Sequence, residues 1–208
     1  MSKNLLKKYK PILVSDLGNV IVFFDMKIAL AKFQKHFNIS TSRIHKYFSK
    51  YDIAAKIDTG ELHPEKFYQL FSHKFKINIS YSEFCSFWNE IFTLNTEYIE
   101  FLKNLNGNFK FVILSNTNSV HWNYIINKFP VITEIFKIHI LSFEEGIKKP
   151  DNKIFDRVFE LQPDPGKIIF VDDTAKNIVA ASTIGIHAIR YTGFEKFLAE
   201  FDGINTNM

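Results

Sequence analysis

Cysteine is nearly absent from this chain. One residue, Cys85, among 208 rules out an intrachain disulfide, and its place beside Phe84 reads as a buried apolar position rather than a reactive thiol. Arginine is scarce too, at Arg43, Arg157 and Arg190, so lysines carry the formal charge of +4. Those lysines are scattered, with no run denser than Lys7–Lys8 and Lys148–Lys149. A nucleic-acid surface needs clustered charge, so none is expected. No apolar run approaches the ~20 residues of a membrane span. No apolar stretch of signal-peptide length follows the basic residues Met1 to Lys10 before Asp16. A cytoplasmic protein with no membrane partner is the expectation; monomer and homodimer stay open. The seven histidines show no metal-ligand spacing and read as surface or structural residues.

What is present is a globular composition, 46% hydrophobic and 23% charged, long enough for one domain carrying a modest insert. Phenylalanine reaches 23 copies, an abundance given no functional weight. Four short apolar runs have the character of strands buried on both faces: Ile12-Leu13-Val14, Phe109 to Leu114, Ile138 to Leu141 and Ile168 to Val171, with Ile186 to Ile189 as a fifth. Helical spacings alternate with them: Ile99, Leu102 and Leu105; Trp122, Ile125, Ile126 and Phe129; Ile154, Phe155, Val158 and Phe159; Ile178, Ala181 and Ser182. The alternation predicts an α/β fold, a Rossmann-like doubly wound parallel sheet.

Residues 24–93 break the pattern. Ala29, Phe33 and Phe37 recur every fourth residue; Phe67, Leu70, Phe71 and Phe75 share a helical face, as do Phe84, Phe87, Trp88, Ile91 and Phe92. An inserted all-helical cap is expected there, between core segments 1–23 and 94–208, with Gly60 and Pro64 punctuating a connection inside it. The polar stretch Asp202 to Met208 is expected to fray.

The chemistry-bearing residues follow the strands. Ser15-Asp16 ends the first, Ser115-Asn116 the second, Lys149-Pro150-Asp151 lies past the third, and Asp172-Asp173 ends the fourth. A parallel sheet gathers such ends at one edge, where its ligands bind. Carboxylates about 4 Å apart repel by roughly 4 kcal/mol per pair at an effective dielectric near 20. Asp16, Asp172 and Asp173 therefore call for a cation, and all-oxygen ligation suits Mg2+. Ser115 can donate a hydrogen bond and Lys149 supplies a point charge, both suited to a phosphoryl group, while Asp16 is available as a nucleophile. Each piece alone has a structural reading as well: a strand-ending Asp as a turn former, Ser115-Asn116 as a helix cap, Lys149-Pro150 as a surface loop, Asp172-Asp173 as a helix opening.

Taken together the motifs resemble the haloacid dehalogenase superfamily with a cap inserted after the first motif. They are Ile12-Leu13-Val14-Ser15-Asp16-Leu17-Gly18-Asn19-Val20, Val112 to Thr117, Gly146 to Asp151 with Ile154-Phe155, and Phe170-Val171-Asp172-Asp173-Thr174 with Asn177 and Ala180-Ala181; Gly185-Ile186-His187-Ala188 matches the closing stretch. The resemblance implies a Mg2+-dependent phosphatase acting on a small phosphorylated metabolite through an aspartyl-phosphate. Asp16 would attack phosphorus and bind Mg2+ with the Gly18 carbonyl and Asp173, and with Asp172 directly or through water. Ser115 and Lys149 would hold the phosphoryl oxygens and Asn116 would line the pocket.

Gly18 departs from the family pattern, which places a second Asp there as general acid; losing one typically costs ~10²–10⁴ in rate. The substrate then has a good leaving group that needs little protonation, such as an anomeric sugar phosphate or an acyl phosphate, or Asp25, Asp52, Asp58, His63 or water donates instead, or the protein binds phosphorylated ligands without turnover. Relatives sharing Asp-Leu-Gly-Asn-Val include sugar-phosphate phosphatases, which favours a sugar phosphate. Carbon–halogen hydrolysis, the superfamily's other reaction, shares Asp16, Ser115, Asn116 and Lys149 but needs no acidic pair at Asp172-Asp173.

Overall fold

The computed structural model describes residues 10–105 and 107–205. Lys7–Lys8 and the last residues of the expected frayed tail lie outside them. Five parallel strands form the main sheet: β1 (Ile12–Ser15), β4 (Lys110–Ser115), β5 (Ile138–Leu141), β6 (Ile168–Asp172) and β7 (His187–Arg190), in the order β5-β4-β1-β6-β7. Every apolar run expected to be a strand is one. β1 is central, in register with β4 (Val14 opposite Val112) and β6 (Val14 opposite Phe170). The chain works outward from β1 through β4 to β5, then crosses to β6 and β7 on the other side. That reversal places a topological switch point at the carboxyl end of β1.

Alternation along the strands sorts side chains between two helical layers. Leu13, Phe111, Ile113, Ile169 and Val171 face one layer, where Tyr98, Leu102, Ile125, Ile132, Phe197 and Phe201 pack. Ile12, Val14, Val112, Leu114 and Phe170 face the other, against Ile154, Phe155, Val158, Ala181 and Ile186. Both faces are covered, which is why the strands read as unbroken apolar runs.

Between the first two strands of the sheet lie α1 (Met26–Phe37), α2 (Thr41–Tyr51), α3 (Ile53–Asp58), α4 (Pro64–Phe75) and α5 (Tyr81–Asn89). Their ends carry ordinary caps. Asp25 accepts from Lys27 N at 2.9 Å to open α1, and Ser80 and Glu83 form a reciprocal capping box on α5. The helices close on a core of their own: Phe33, Ile44, Ile53, Ile57, Phe67, Phe71 and Phe84.

Four expectations need correcting. The segment is not wholly helical: β2 (Val22–Phe24) pairs antiparallel with β3 (Phe92–Leu94), a two-stranded ribbon at its base. Ile91 and Phe92 therefore leave the α5 face and pack with the sheet's core. Leu70 is 42% exposed, outside the aromatic core that Phe67 and Phe71 enter. Asp202 does not open a frayed tail, because a terminal helix runs from Phe194 to Asn205 and buries Phe201. Cys85 is half-buried rather than fully enclosed. Among the described residues no helix is long and apolar enough to cross a membrane.

The helical segment touches the sheet edge at a defined point. Ser142 Oγ, just past β5, donates to the carbonyl of Asp58, and Gly60 packs against the backbone of Phe143. Gly60 sits at φ +72°, and a Cβ there would lie 2.5 Å from the Phe143 carbonyl oxygen. Gly60→Ala is expected to lower stability by about 2–4 kcal/mol, combining left-handed strain with the clash. Urea denaturation would show this as a lower midpoint at an unchanged slope; a change within 0.5 kcal/mol would mean the contact is dispensable.

Candidate active site

Asp16 follows β1 directly, and its amide donates to the Val171 carbonyl of β6 at 2.8 Å. The neighbouring Ser15 is fully buried, with Oγ 2.7 Å from the Tyr98 hydroxyl. Asn95 ties the following loop down from below, donating to the Val20 carbonyl at 2.7 Å. The loop that carries Asp16, Leu17 and Gly18 is thus pinned between sheet and helix rather than free to move.

Lys149 lies on the connection after β5, across a cis peptide bond from Pro150, and its side chain is fully buried. Its ammonium meets Asp172 Oδ2 at 2.7 Å, the Leu114 carbonyl at 2.6 Å and Asp16 Oδ1 at 3.0 Å. Three donors meet three acceptors. Asn116 clamps the Lys149 backbone: Oδ1 accepts from its N–H at 2.8 Å and Nδ2 donates to its C=O at 2.9 Å. Contact between Lys149 and a phosphoryl oxygen would share or replace one of its present bonds, the Asp16 contact being the longest.

Asp172 is completely buried, and both its oxygens are taken. Thr174 N donates to Oδ1 at 2.8 Å, and Asn177 Nδ2 stands 3.0 Å from each oxygen, beside the Lys149 bond. Asp173 is half-buried; its oxygens accept from Asn19 Nδ2 and Thr174 Oγ1, both at 3.0 Å. Carboxylate oxygens of Asp16, Asp172 and Asp173 lie within 4.8 Å of one another. Of these, Asp172 is the best supplied with protein donors, so Asp16 and Asp173 have the freer oxygens. Three carboxylates against one ammonium leave two negative charges, matching one divalent cation. An all-oxygen donor set of this kind fits Mg2+. Without such an ion, burial pushes the Asp16 carboxyl up to about 7; Lys149 opposes the shift and Asp172 adds to it.

A cavity of about 410 Å³ opens between the sheet edge and the helical segment; it reaches Leu17 and Gly18, next to Asp16 in the chain, while Asp16, Lys149, Asp172 and Asp173 do not themselves line it. Gly18, Ser115 and Asn116 form its floor together with Thr117 and Asn118. Of the donors considered in place of an acid at position 18, Asp58 lines this cavity, whereas Asp25, Asp52 and His63 are not on its wall. Burial pushes the Asp58 carboxyl up to about 6, with Lys148 pulling the other way. His121 also lines the wall; burial lowers its pKa to about 4, so the ring is neutral, and its Nε2 is buried without a hydrogen-bond partner.

The sequence reading missed the supporting residues. Asn19 stands next to Gly18 with φ 56°, a left-handed turn that aims its amide at Asp173. Only its type, an Asn in a tight loop, hinted at this. Asn177 and Thr174 were visible in the fourth motif, but their bonds to the two acids were not.

Two stability measurements test these electrostatics. Lys149→Met would leave Asp16 and Asp172 without their counter-charge in a buried place, and a loss of about 3–5 kcal/mol is expected, smaller when Asp16→Asn is added; a loss under 1 kcal/mol would contradict the assignment. For Asp58, the folded pKa lies above the unfolded one, so the folded state holds the proton more tightly. The ionised group is therefore no burden near pH 4 and becomes one as pH rises to about 6. Asp58→Asn should stabilise the protein by about 1–2 kcal/mol at pH 7.5 and by nothing at pH 4; equal effects at both pH values would refute this.

The haloacid dehalogenase-like hydrolase family model matches residues 13–185. A HAD family enzyme from Bacteroides thetaiotaomicron superposes with a TM-score of 0.82 at 24% identity, covering 90% of this chain and 96% of that one. Its complex with magnesium and inorganic phosphate superposes at 0.79 with 26% identity, over 87% and 93% of the two chains. A mouse protein, acyl-CoA dehydrogenase family member 10, is 32% identical over 89 residues, 42% of this chain but 8% of that protein. The chain thus spans a small part of that relative. The four strand-end motifs, the sheet order and the match over residues 13–185 agree: this chain belongs to the haloacid dehalogenase-like hydrolases.

Proposed function

We propose that the protein is a Mg2+-dependent phosphatase that hydrolyses a small phosphorylated metabolite through an aspartyl-phosphate on Asp16. The observation that carries this reading is the group of three carboxylates within 4.8 Å, balanced by one buried ammonium and left two charges short of neutrality. The magnesium and phosphate complex of the Bacteroides enzyme supports it. A dehalogenase would have no use for a cation at Asp172 and Asp173.

In this reading Asp16, Asp173 and the Gly18 carbonyl would hold Mg2+, with Asp172 directly or through water, and the bound ion would supply charge stabilisation for the phosphoryl oxygens. Everything else falls to the chain's own groups. An Asp16 carboxylate oxygen attacks phosphorus. Lys149 neutralises the crowded floor and is kept in place by Asp172 and by the Asn116 clamp. Ser115, buried on the cavity floor, donates to a phosphoryl oxygen. Water then attacks phosphorus, releasing phosphate and restoring Asp16. The helices over the cavity act as a cap that limits access of other water. Asp58 is the wall carboxyl available to protonate a leaving group that needs it. The sugar phosphate favoured by the Asp-Leu-Gly-Asn-Val motif would, if anomeric, have a leaving group that needs little protonation.

The test is turnover of p-nitrophenyl phosphate with Mg2+. EDTA should abolish it, and Asp16→Asn should lower it by at least about 10³-fold. Phosphate-analogue binding without turnover of any phosphate ester would favour a non-catalytic binder. Halide release from 2-haloacids that persists in EDTA would favour dehalogenation.

A further inference from the structure

The position that lacks a side chain is not an empty gap. A Cβ built on Gly18 would lie 3.0 Å from Cε1 and 3.6 Å from Cδ1 of Phe24. The aromatic ring sits where an acid at position 18 would begin. Phe24 comes from the ribbon strand β2, is 40% exposed, and packs on Phe92 with ring centres 6.1 Å apart. The exposed part of the ring adds apolar surface to the cavity wall, which Leu30, Ile44, Phe48, Trp88 and Phe92 continue. The hydrogen-bonding groups are few. The Asn118 side chain is already committed, with Oδ1 accepting from His121 N at 3.0 Å and Nδ2 3.2 Å from His121 Nδ1. That leaves chiefly Asp58, the Thr117 hydroxyl, the unpartnered His121 Nε2 and the exposed His45. A polyol would strand several hydroxyls against rings, each at a cost of a lost hydrogen bond.

Resting on the phosphatase reading above, we propose that the substrate is a phosphate monoester of a phenol-type hydroxyl carried on an apolar, ring-sized body. Two independent features converge on it. The wall beside Gly18 is aromatic, and aromatic rings pack well on one another. The floor lacks the carboxyl that would protonate a poor leaving group, and a phenol, ionising near pH 10 as tyrosine does, is a far better leaving group than an aliphatic alcohol. In the step itself, the bond from the Asp16 oxygen to phosphorus forms as the bond from phosphorus to the aryl oxygen breaks. The electron pair leaves on the phenolate, which takes its proton from solvent. Water then cleaves the aspartyl-phosphate, giving inorganic phosphate. The Gly18 and Phe24 pair is thus one substitution of function: a general acid is exchanged for an apolar contact with a leaving group that does not need it.

The experiment compares kcat/KM in Mg2+ for phenyl phosphate, cyclohexylmethyl phosphate and glucose 6-phosphate. Alongside it, calorimetry measures benzylphosphonate and 2,3-dihydroxypropylphosphonate binding to the Mg2+-loaded protein. Phenyl phosphate should exceed both other esters by at least about 10²-fold, and benzylphosphonate should bind more tightly than the dihydroxy compound. Phe24→Asn should weaken benzylphosphonate by about tenfold while changing inorganic phosphate binding by less than about twofold. A sugar phosphate turned over as well as phenyl phosphate would overturn the inference. So would equal rates for the phenyl and cyclohexylmethyl esters, with the latter rate lost in Asp58→Asn, since Asp58 would then be the acid. No turnover with any ester would sink the phosphatase reading instead; the phosphonate preference would still decide which organic group the cavity takes.

Discussion

The Lys149 ammonium is the point on which both fold and site depend. A buried, unpaired ammonium costs several kcal/mol, so this one is tolerable only where acceptors meet it from every side. Its acceptors come from three neighbouring strands: Asp16 just past β1, the Leu114 carbonyl of β4 and Asp172 at the end of β6. A one-residue slip of β1 or β6 would turn these acids to the opposite face of the sheet and strand the charge. The ion cluster therefore penalises wrong registers that the apolar runs alone, buried on both faces, would tolerate. One of the three bonds goes to Asp16, the nucleophile of the proposed reaction, so strand order and the proposed chemistry draw on the same contact.

The ribbon between β2 and β3 is the second constraint. It is short, yet it joins the helical segment to the sheet and carries Phe24 over Gly18. Asn19, in its left-handed turn, sends an amide to Asp173 from the same hairpin-like stretch. A loop of a few residues thus sets both the acid side of the floor and the apolar side of the wall. A side chain at position 18 would press its Cβ to 3.0 Å from the Phe24 ring, so the ring would have to give way by a few tenths of an ångström; the two positions are coupled.

The sheet was legible because burial on both faces leaves an unmistakable mark: every strand is a run such as Ile168 to Val171, with chemistry appearing only where the run ends. Asp16, Ser115, Lys149, Asp172 and Asp173 could be placed near one another by topology alone. The partners could not. Asn177 binding Asp172, or Asn116 clamping the Lys149 backbone, depends on side-chain directions that no spacing encodes. Three-residue strands such as Val22–Phe24 are too short for periodicity, so their aromatic residues read as part of the helical stripe. Asp58 reached the cavity wall only because α3 folds back onto Ser142, a contact between residues 84 apart in sequence. Long-range contacts of that kind carry no local signal.

The cavity sets an apolar wall against a polar floor that borders the charged cluster, and this pairing has a physical consequence. Apolar surroundings lower the effective dielectric, which strengthens every attraction between the floor and an anionic phosphoryl group. The same surroundings make the unfilled floor costly, as the carboxyl of Asp16, raised to about 7, records. Asp58 is held in a similar state, raised to about 6 by burial. A chain selected for stability alone would replace such groups, because volume-matched apolar residues would do as well or better. Stability alone does not account for two such groups lying close to one cavity. The proposed ligand would relieve the first cost, because a cation-bound phosphate offsets the crowded carboxylates, while its apolar body would cover the rings of the wall and keep Asp58 protonated.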